Sequence, residues 1–341
     1  MRAAIGVLTS QTCPDPWVLA SHSYVEIGMH RIAITGSEGL IGRHLRTSLM
    51  DRQIEVVAID HALPVGNPGR IDLATSDISR ELSVLFEHCD GIIHLGAVSR
   101  VVWGERDPAR CWRTNVEGTE AVLHAAAQCQ SRPWVLFASS REVYGDAERL
   151  PVAEDAPLLP LNAYARSKVA AEERVLAARA RLCTAIVRLS SVYGDVLDHA
   201  DRVVPAFTRA AAEHGVLRIE GADNVLDLTY APDVADGLLR LITILSDGES
   251  ALPPIHLVSG HGTTLGGLAN LARAAGGGRS QLMDAPPRTY DVARFFGDPS
   301  RARSLLGWEA RTTVEVGVMR MVQEYIALNA RRAASAPGVS L

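Results

Sequence analysis

The sequence predicts an α/β fold, a doubly wound parallel sheet carrying a smaller α+β lobe, and three observations lead there. Short apolar runs rich in β-branched residues alternate along the chain with segments of helical periodicity. The first run passes through a glycine-punctuated turn straight into a helix, Arg31-Ile32-Ala33-Ile34-Thr35-Gly36-Ser37-Glu38-Gly39-Leu40-Ile41-Gly42. A second run, Ile54 to Ile59, ends in the carboxylate of Asp60, about 20 residues beyond those glycines.

Bulk properties bound the reading. At 341 residues the chain has room for a large core, in one large domain with an appended lobe or in two domains. A net charge of −5 carries no electrostatic footprint for nucleic acid. The five cysteines, Cys13, Cys89, Cys111, Cys129 and Cys183, are odd in number and lack a C-x-x-C pair. That pattern points to free thiols in a reducing compartment, hence to a cytoplasmic protein. No apolar run approaches the roughly 18 residues of a membrane span, and no metal-ligand cluster stands out. Residues 1–28 are too interrupted for a signal peptide, so Met29 is either the natural start or the end of a loose arm. Residues 329–341, rich in small residues, read as a frayed tail.

The glycine turn gives the fold its Rossmann-type character. Gly36 opens the turn, and Gly39 and Gly42 fall on the first turns of a helix that buries Leu40, Ile41 and Leu45. Without side chains there, backbone N–H groups and the positive helix end can approach a pyrophosphate closely. Asp60 stands where such a unit accepts ribose hydroxyls, which favours NAD over NADP because a carboxylate repels a 2′-phosphate. Each signal has a plainer reading, an unliganded turn and a solvated acid, so the downstream context decides.

That context continues the alternation. Arg70-Ile71-Asp72-Leu73 reads as a short third strand and Ile78 to Cys89 as a helix; Gly91 to Ala97 reads as a buried fourth strand ending in small residues. Those small residues leave room for a ligand at the carboxyl edge of the sheet, while His94 reads as a packed core histidine. A helix from about Pro108 to Gln128 carries Asn115 in its middle, a poor helix former that suggests a hydrogen bond to backbone near the site. Trp134 to Ser140 is a fifth strand ending in two hydroxyls. After an acidic, proline-rich loop, the next helix starts near Ala163.

Tyr164 and Lys168 share one face of that helix, being four apart. An ammonium beside a phenol stabilises the phenolate and draws its pKa toward neutrality, making the tyrosine a usable base. A tyrosine and a lysine at this spacing also occur on ordinary solvated faces. Here they follow a glycine turn and a strand ending in Ser140.

Thr35-Gly36-x-x-Gly39-x-x-Gly42, His94-Leu95-Gly96-Ala97, Asn115-Val116-x-Gly118-Thr119, Ser139-Ser140-x-x-Val143-Tyr144-Gly145 and Tyr164-x-x-x-Lys168 stand in the order and spacing of the extended short-chain dehydrogenase/reductases. More narrowly, the chain resembles their nucleotide-sugar epimerase/dehydratase branch, from about Met29 to Ala327. The resemblance implies that Tyr164 removes a proton from a sugar hydroxyl while C4 gives a hydride to NAD. Ser140 then bonds the same oxygen, and Lys168 holds the nicotinamide ribose. It implies cofactor contacts from Gly36, Gly39, Leu40, Ile41, Gly42, Asp60, Asp72, Leu73, Leu95, Gly96, Ala97 and Asn115, with Asp72 and Leu73 at the adenine. It implies substrate contacts from Ser99, Ser140, Arg141, Ser191 and Arg288, and a homodimer through the helices near Pro108 and Leu161. By the same resemblance, residues 29–190 plus 225–262 hold NAD and residues 191–224 plus 263–328 hold a nucleotide-diphosphate sugar.

The rest of the chain fits this frame with departures. Thr184 to Leu189 is a sixth strand, Val203 to His214 a helix, Asp227 to Ala235 the return segment with a helix to about Leu245, and Ile255 to Ser259 a last strand. Ser300 to Trp308 and Thr313 to Leu328 read as helices. Relatives place Asn where Ser191 stands and an arginine where Leu226 stands, so a phosphate donor is lost, while Arg288 in Pro287-Arg288-Thr289-Tyr290-Asp291-Val292 keeps a second one. Arg141 replaces the aspartic acid of 4,6-dehydratases and cannot donate a proton to a leaving hydroxyl; it pairs either with a substrate carboxylate or within its own loop. Glu142 sits where lyases of the branch keep a base near C5. The expectation is therefore an NAD-dependent nucleotide-sugar 4-epimerase. The alternatives are a 5,6-dehydratase or uronate decarboxylase using Glu142, and a non-catalytic NAD-binding regulator.

Overall fold

The computed structural model describes residues 30–335. The segment 1–28 and Cys13 within it, together with the end of the expected tail, lie outside the described residues. β1 (Arg31–Thr35) leads into α1 (Leu40–Met50), and β2 (Glu55–Ile59), α2 (Ser79–Phe86) and β3 (Gly91–His94) follow. α3 (Val101–Arg106), α4 (Pro108–Trp112) and α5 (Gly118–Gln128) precede β4 (Trp134–Ser140), α6 (Ala163–Ala178) and β5 (Thr184–Leu189). These strands and β9 (Ile255–Leu257) make a six-stranded sheet in the order β2-β1-β3-β4-β5-β9, parallel at every pairing.

Strand alternation explains why β1 reads as a continuous apolar run. Ile32 and Ile34 pack on one face with Leu45, Leu49, Leu238 and Ile242, while Ala33 packs on the other with Leu82, Phe86, Val122 and Ala126. α8 (Ala231–Ser246), with Pro232 in its first turn, covers the first face beside α1, and α2, α5 and α6 cover the second.

The lobe grows from the carboxyl end of this sheet. β6 (Ser191–Tyr193), β8 (Val225–Tyr230) and β10 (Gly262–Thr264) form a three-stranded sheet, and β7 (Val216–Glu220) pairs in parallel with β11 (Gln281–Ala285). α7 (Val203–Ala212), α9 (Leu265–Ala275) and α11 (Val314–Ser335) close a separate core around Phe207, Leu217, Leu268 and Met321. Asp227 ties lobe to sheet: it is fully buried, and its carboxylate accepts the N–H groups of Ser259, Gly260 and Gly297.

Four expectations are corrected. Arg70 to Leu73 is not a strand, because its polar groups close turns: Arg70 N–H donates to the Asn67 carbonyl, and Asp72 accepts from Ala74 through its side chain and from Thr75 through its carbonyl. The run from Pro108 to Gln128 is helical throughout, but Arg113–Glu117 widens to a π turn around Asn115. α11 continues to Ser335, so residues 329–335 are helical rather than frayed, as Ala330, Arg331 and Arg332 are good helix formers. Finally α10 (Ser300–Leu306) and Trp308, expected in the lobe, join the core of the main sheet, where the Trp308 indole donates to the Asp233 carbonyl at 2.9 Å.

Candidate active site

A cleft of about 470 Å³ opens where the carboxyl ends of the parallel strands meet the lobe, a size suited to a small ligand. Its walls bring together Ile41, Leu95, Ala97, Ser99, Ser140, Arg141, Glu142, Tyr164, Lys168, Ser191 and Arg288. Gly36, Gly39, Leu40, Gly42, Asp60, Asp72, Leu73, Gly96 and Asn115 do not line it. They surround the same sheet edge, or pack beneath it.

The glycine turn has the form a pyrophosphate needs. Gly36 has φ +71°, and a Cβ there would stand 2.7 Å from the Gly96 nitrogen, so only glycine fits. The N-cap of α1 is Gly39, no side chain caps the helix, and its first turn carries no acid. The first N–H groups are thus left for an outside anion. Asp60, at the end of β2, is buried and its carboxylate accepts from the backbone N–H of Glu38 (3.1 Å) and Ala62 (2.9 Å). It is oriented toward the turn, with a second lone pair on each oxygen for hydroxyl donors. These residues fit a dinucleotide. Leu40 is buried with its side chain in the core, as is Leu73, which lies against Gly96. Asp72 is partly exposed and paired with Arg110 at 2.8 Å.

Beneath the edge runs a hydrogen-bond ladder. The Thr119 hydroxyl donates to the Asn115 carbonyl at 2.7 Å, so it accepts from His94 Nε2 at 2.9 Å. His94 Nδ1 is then the acceptor for Thr35 Oγ1 at 2.7 Å, and that hydroxyl oxygen accepts the Gly96 N–H. Burial holds His94 neutral, lowered to about 3. Asn115 in the π turn accepts the Val98 N–H (2.8 Å) and donates to the Val98 carbonyl (3.1 Å) and to Ser167 Oγ (2.9 Å). It fixes the loop after β3 against α6.

The reactive groups come from β4 and α6. Asn162 caps α6, accepting the Ala165 N–H at 2.8 Å, and so aims the first turn bearing Tyr164. Ser140 lies beside the Tyr164 phenol and pulls its pKa down, and the Glu142 N–H donates to Ser140 Oγ at 3.2 Å. The expected electrostatics are corrected here. Burial pushes the Tyr164 phenol up to about 12, against the lowering pull of Ser140. Lys168 does not offset this, because its ammonium donates to the Ala138 carbonyl at 2.8 Å and lies 4.8 Å from the Phe137 ring centroid. Burial lowers Lys168 itself to about 8.

Arg141 and Glu142 form a buried ion pair at 2.8 Å, so of its two readings the contact within its own loop is the one present. Asn162 Nδ2 donates to the other Glu142 oxygen at 3.2 Å. Sequence reasoning missed Asn162, although an Asn just before a helix start is a capping signature. It also missed Arg202, whose charge lies close enough to Tyr164 to favour the phenolate, and Arg218 and Glu220 on the lobe wall. Their positions depend on how the lobe folds over the sheet, which no local pattern records.

The chain is similar to proteins of known activity. Residues 32–252 match the model of the NAD dependent epimerase/dehydratase family. The UDP-glucose 4-epimerase of Lacticaseibacillus casei is 28% identical over 304 residues, covering 82% of this chain and 91% of that protein. The UDP-glucuronic acid decarboxylase 1 of Danio rerio is 27% identical over 313 residues, covering 86% and 72%. Among solved structures, MoeE5 in complex with UDP-glucuronic acid and NAD is 26% identical with a TM-score of 0.75, covering 89% of this chain and 99% of that one.

Proposed function

The chain belongs to the NAD dependent epimerase/dehydratase family, and on that premise we propose that it inverts C4 of a nucleotide-diphosphate sugar through a transient 4-keto sugar. It is an NAD-dependent enzyme acting on nucleotide sugars. The observation that carries the reading is the convergence of Ser140, Tyr164 and Lys168 in one cleft beside the uncapped helix and glycine turn.

Bound NAD supplies the acceptor for the hydride leaving C4. The chain's own residues do the rest. Gly36, Gly39, Gly42 and the N-terminal N–H groups of α1 receive the pyrophosphate, and Asp60 the adenosine ribose. Tyr164 takes the proton of the C4 hydroxyl, and Ser140 holds the same oxygen. A phenol raised by burial needs help to ionise, and a cationic nicotinamide and Arg202 both act in that direction. Lys168, whose ammonium bonds the Ala138 carbonyl here, would hold the nicotinamide ribose. Ser99 contacts the substrate, Ser191 stands at its diphosphate, and Arg288 grips a phosphate.

The lyase alternative needs Glu142 as a base at C5. Arg141 and Asn162 fix the orientation of its carboxylate, and epimerisation is favoured because Ser140, Tyr164 and Lys168 meet in the cleft. We further assign residues 29–190 and 225–262, with α10 and Trp308, to the NAD half, residues 191–224 and the rest of 263–328 to the sugar nucleotide, and the protein to a cytoplasmic homodimer. Supporting the last are the free thiols of Cys89, Cys111, Cys129 and Cys183 and the exposed apolar side chains Trp112, Leu159 and Leu161. No helix among the described residues is long and apolar enough to cross a membrane.

Incubating the NAD-loaded protein with a panel of nucleotide sugars, with products followed by proton NMR, tests the reading. An inverted C4 supports it. A C5–C6 alkene or released carbon dioxide establishes the lyase instead, and retained NAD with no turnover establishes a non-catalytic binder.

A further inference from the structure

The cleft meets the lobe at a wall lined by Leu226, a position that the family resemblance gives to an arginine. A leucine offers a phosphate no hydrogen bond, so an anion seated there lacks a bidentate donor. The same wall carries a guanidinium with no role so far. Arg218 lies in the middle of β7 and lines the cleft with Leu226 and Arg288. Alternation puts Arg218 and Glu220 on one face of β7, while Leu217 and Ile219 turn into the lobe core.

Glu220 holds two cations together. Its Oε1 is 3.3 Å from Arg218 Nε and its Oε2 is 3.5 Å from Arg288 Nε. The parallel pairing of β11 with β7 sets Ala285 beside Glu220 and so brings the segment bearing Arg288 alongside. Asp291, 2.8 Å from Arg288 Nη2, fixes that side chain further. Two guanidinium groups this close repel each other, and the carboxylate between them offsets the repulsion. Glu220 engages Arg218 through Nε, which leaves the two Nη groups to grip an oxyanion end-on.

We propose that Arg218 makes, from β7, the phosphate contact that position 226 no longer makes, so that Arg218 and Arg288 close together on a diphosphate. This rests on the nucleotide-sugar reading. It names a binding residue outside the set that the family resemblance implies.

The test titrates UDP, dTDP, CDP and GDP into the NAD-loaded protein by calorimetry, then repeats the tightest with variants and compares its parent nucleoside by ligand-observed NMR. Arg218 is largely exposed, and retained NAD and an unchanged melting profile confirm that Arg218→Ala is folded. Arg218→Ala weakens the diphosphate by roughly tenfold or more, and adding Leu226→Arg restores much of the loss. Equal affinity of Arg218→Ala and the parent overturns the proposal. An equal loss toward the nucleoside does too, since the contact is then to base or ribose. Binding of none of the four by the parent sinks the nucleotide-sugar reading itself, a result distinct from either.

Discussion

Tyr164 shows how far a single residue's chemistry can be read from spacing. Its place in one cleft with Ser140 and Lys168 was legible in the sequence, because strand end and helix face are local features. Its proton affinity was not. Burial is set by the packing around α6, and it raises the phenol to about 12 where an adjacent ammonium alone would lower it. Tyr164→Phe therefore keeps NAD bound and loses about a hundredfold or more of turnover, read as retained cofactor absorbance beside a lost rate. Lys168 gives a pH prediction. Its folded-state value is lowered to about 8 from 10.5, so between these values the unfolded chain binds more protons. Its contribution to stability is accordingly unfavourable below pH 8 and fades as pH rises to 10.5. Lys168→Met should melt higher than the parent at neutral pH, by on the order of a few kcal/mol, with the advantage gone near pH 10.5; a lower melt at neutral pH contradicts the burial argument.

At the scale of the element, the π turn at Arg113–Glu117 is the informative departure. The sequence shows an awkward Asn in a long helix and suggests a hydrogen bond; it does not show that the helix widens to deliver it. Asn115 holds Val98 at both backbone groups and Ser167 besides, so the loop carrying Ala97 and Ser99 is pinned to the helix carrying Tyr164. Asn115→Ala leaves the half-buried Val98 N–H and carbonyl without their partner and should cost about 1 kcal/mol in urea unfolding, with KM for the sugar nucleotide raised. The third strand expected at Arg70 to Leu73 failed for the opposite reason. Its alternation is real, but Asp72 and Asn67 form side-chain turns that take its backbone out of any ladder.

For the whole molecule, the parallel sheet was legible because parallel strands buried on both faces read as apolar runs, whereas the strand order, and the absence of Arg70 to Leu73 from it, depend on contacts distant in sequence. The lobe was less legible. Its strands are short, and its cleft-facing residues Arg202, Arg218 and Glu220 gain meaning only from elements distant in sequence. Asp227 is the joint between the halves, with three backbone donors converging on its carboxylate. Asp227→Ala leaves those groups unpaired and should destabilise the fold by several kcal/mol. Asp227→Asn is milder, and both are read by thermal melting.

The central claim is that the sugar is oxidised and reduced at C4 alone, with the proton handled by Tyr164. Proton NMR of the turnover run in heavy water tests it most directly. The account predicts a C4 epimer with no deuterium at any carbon, because the hydrogen removed from C4 never meets solvent. Deuterium at C5, or a product that has lost water or carbon dioxide, contradicts it.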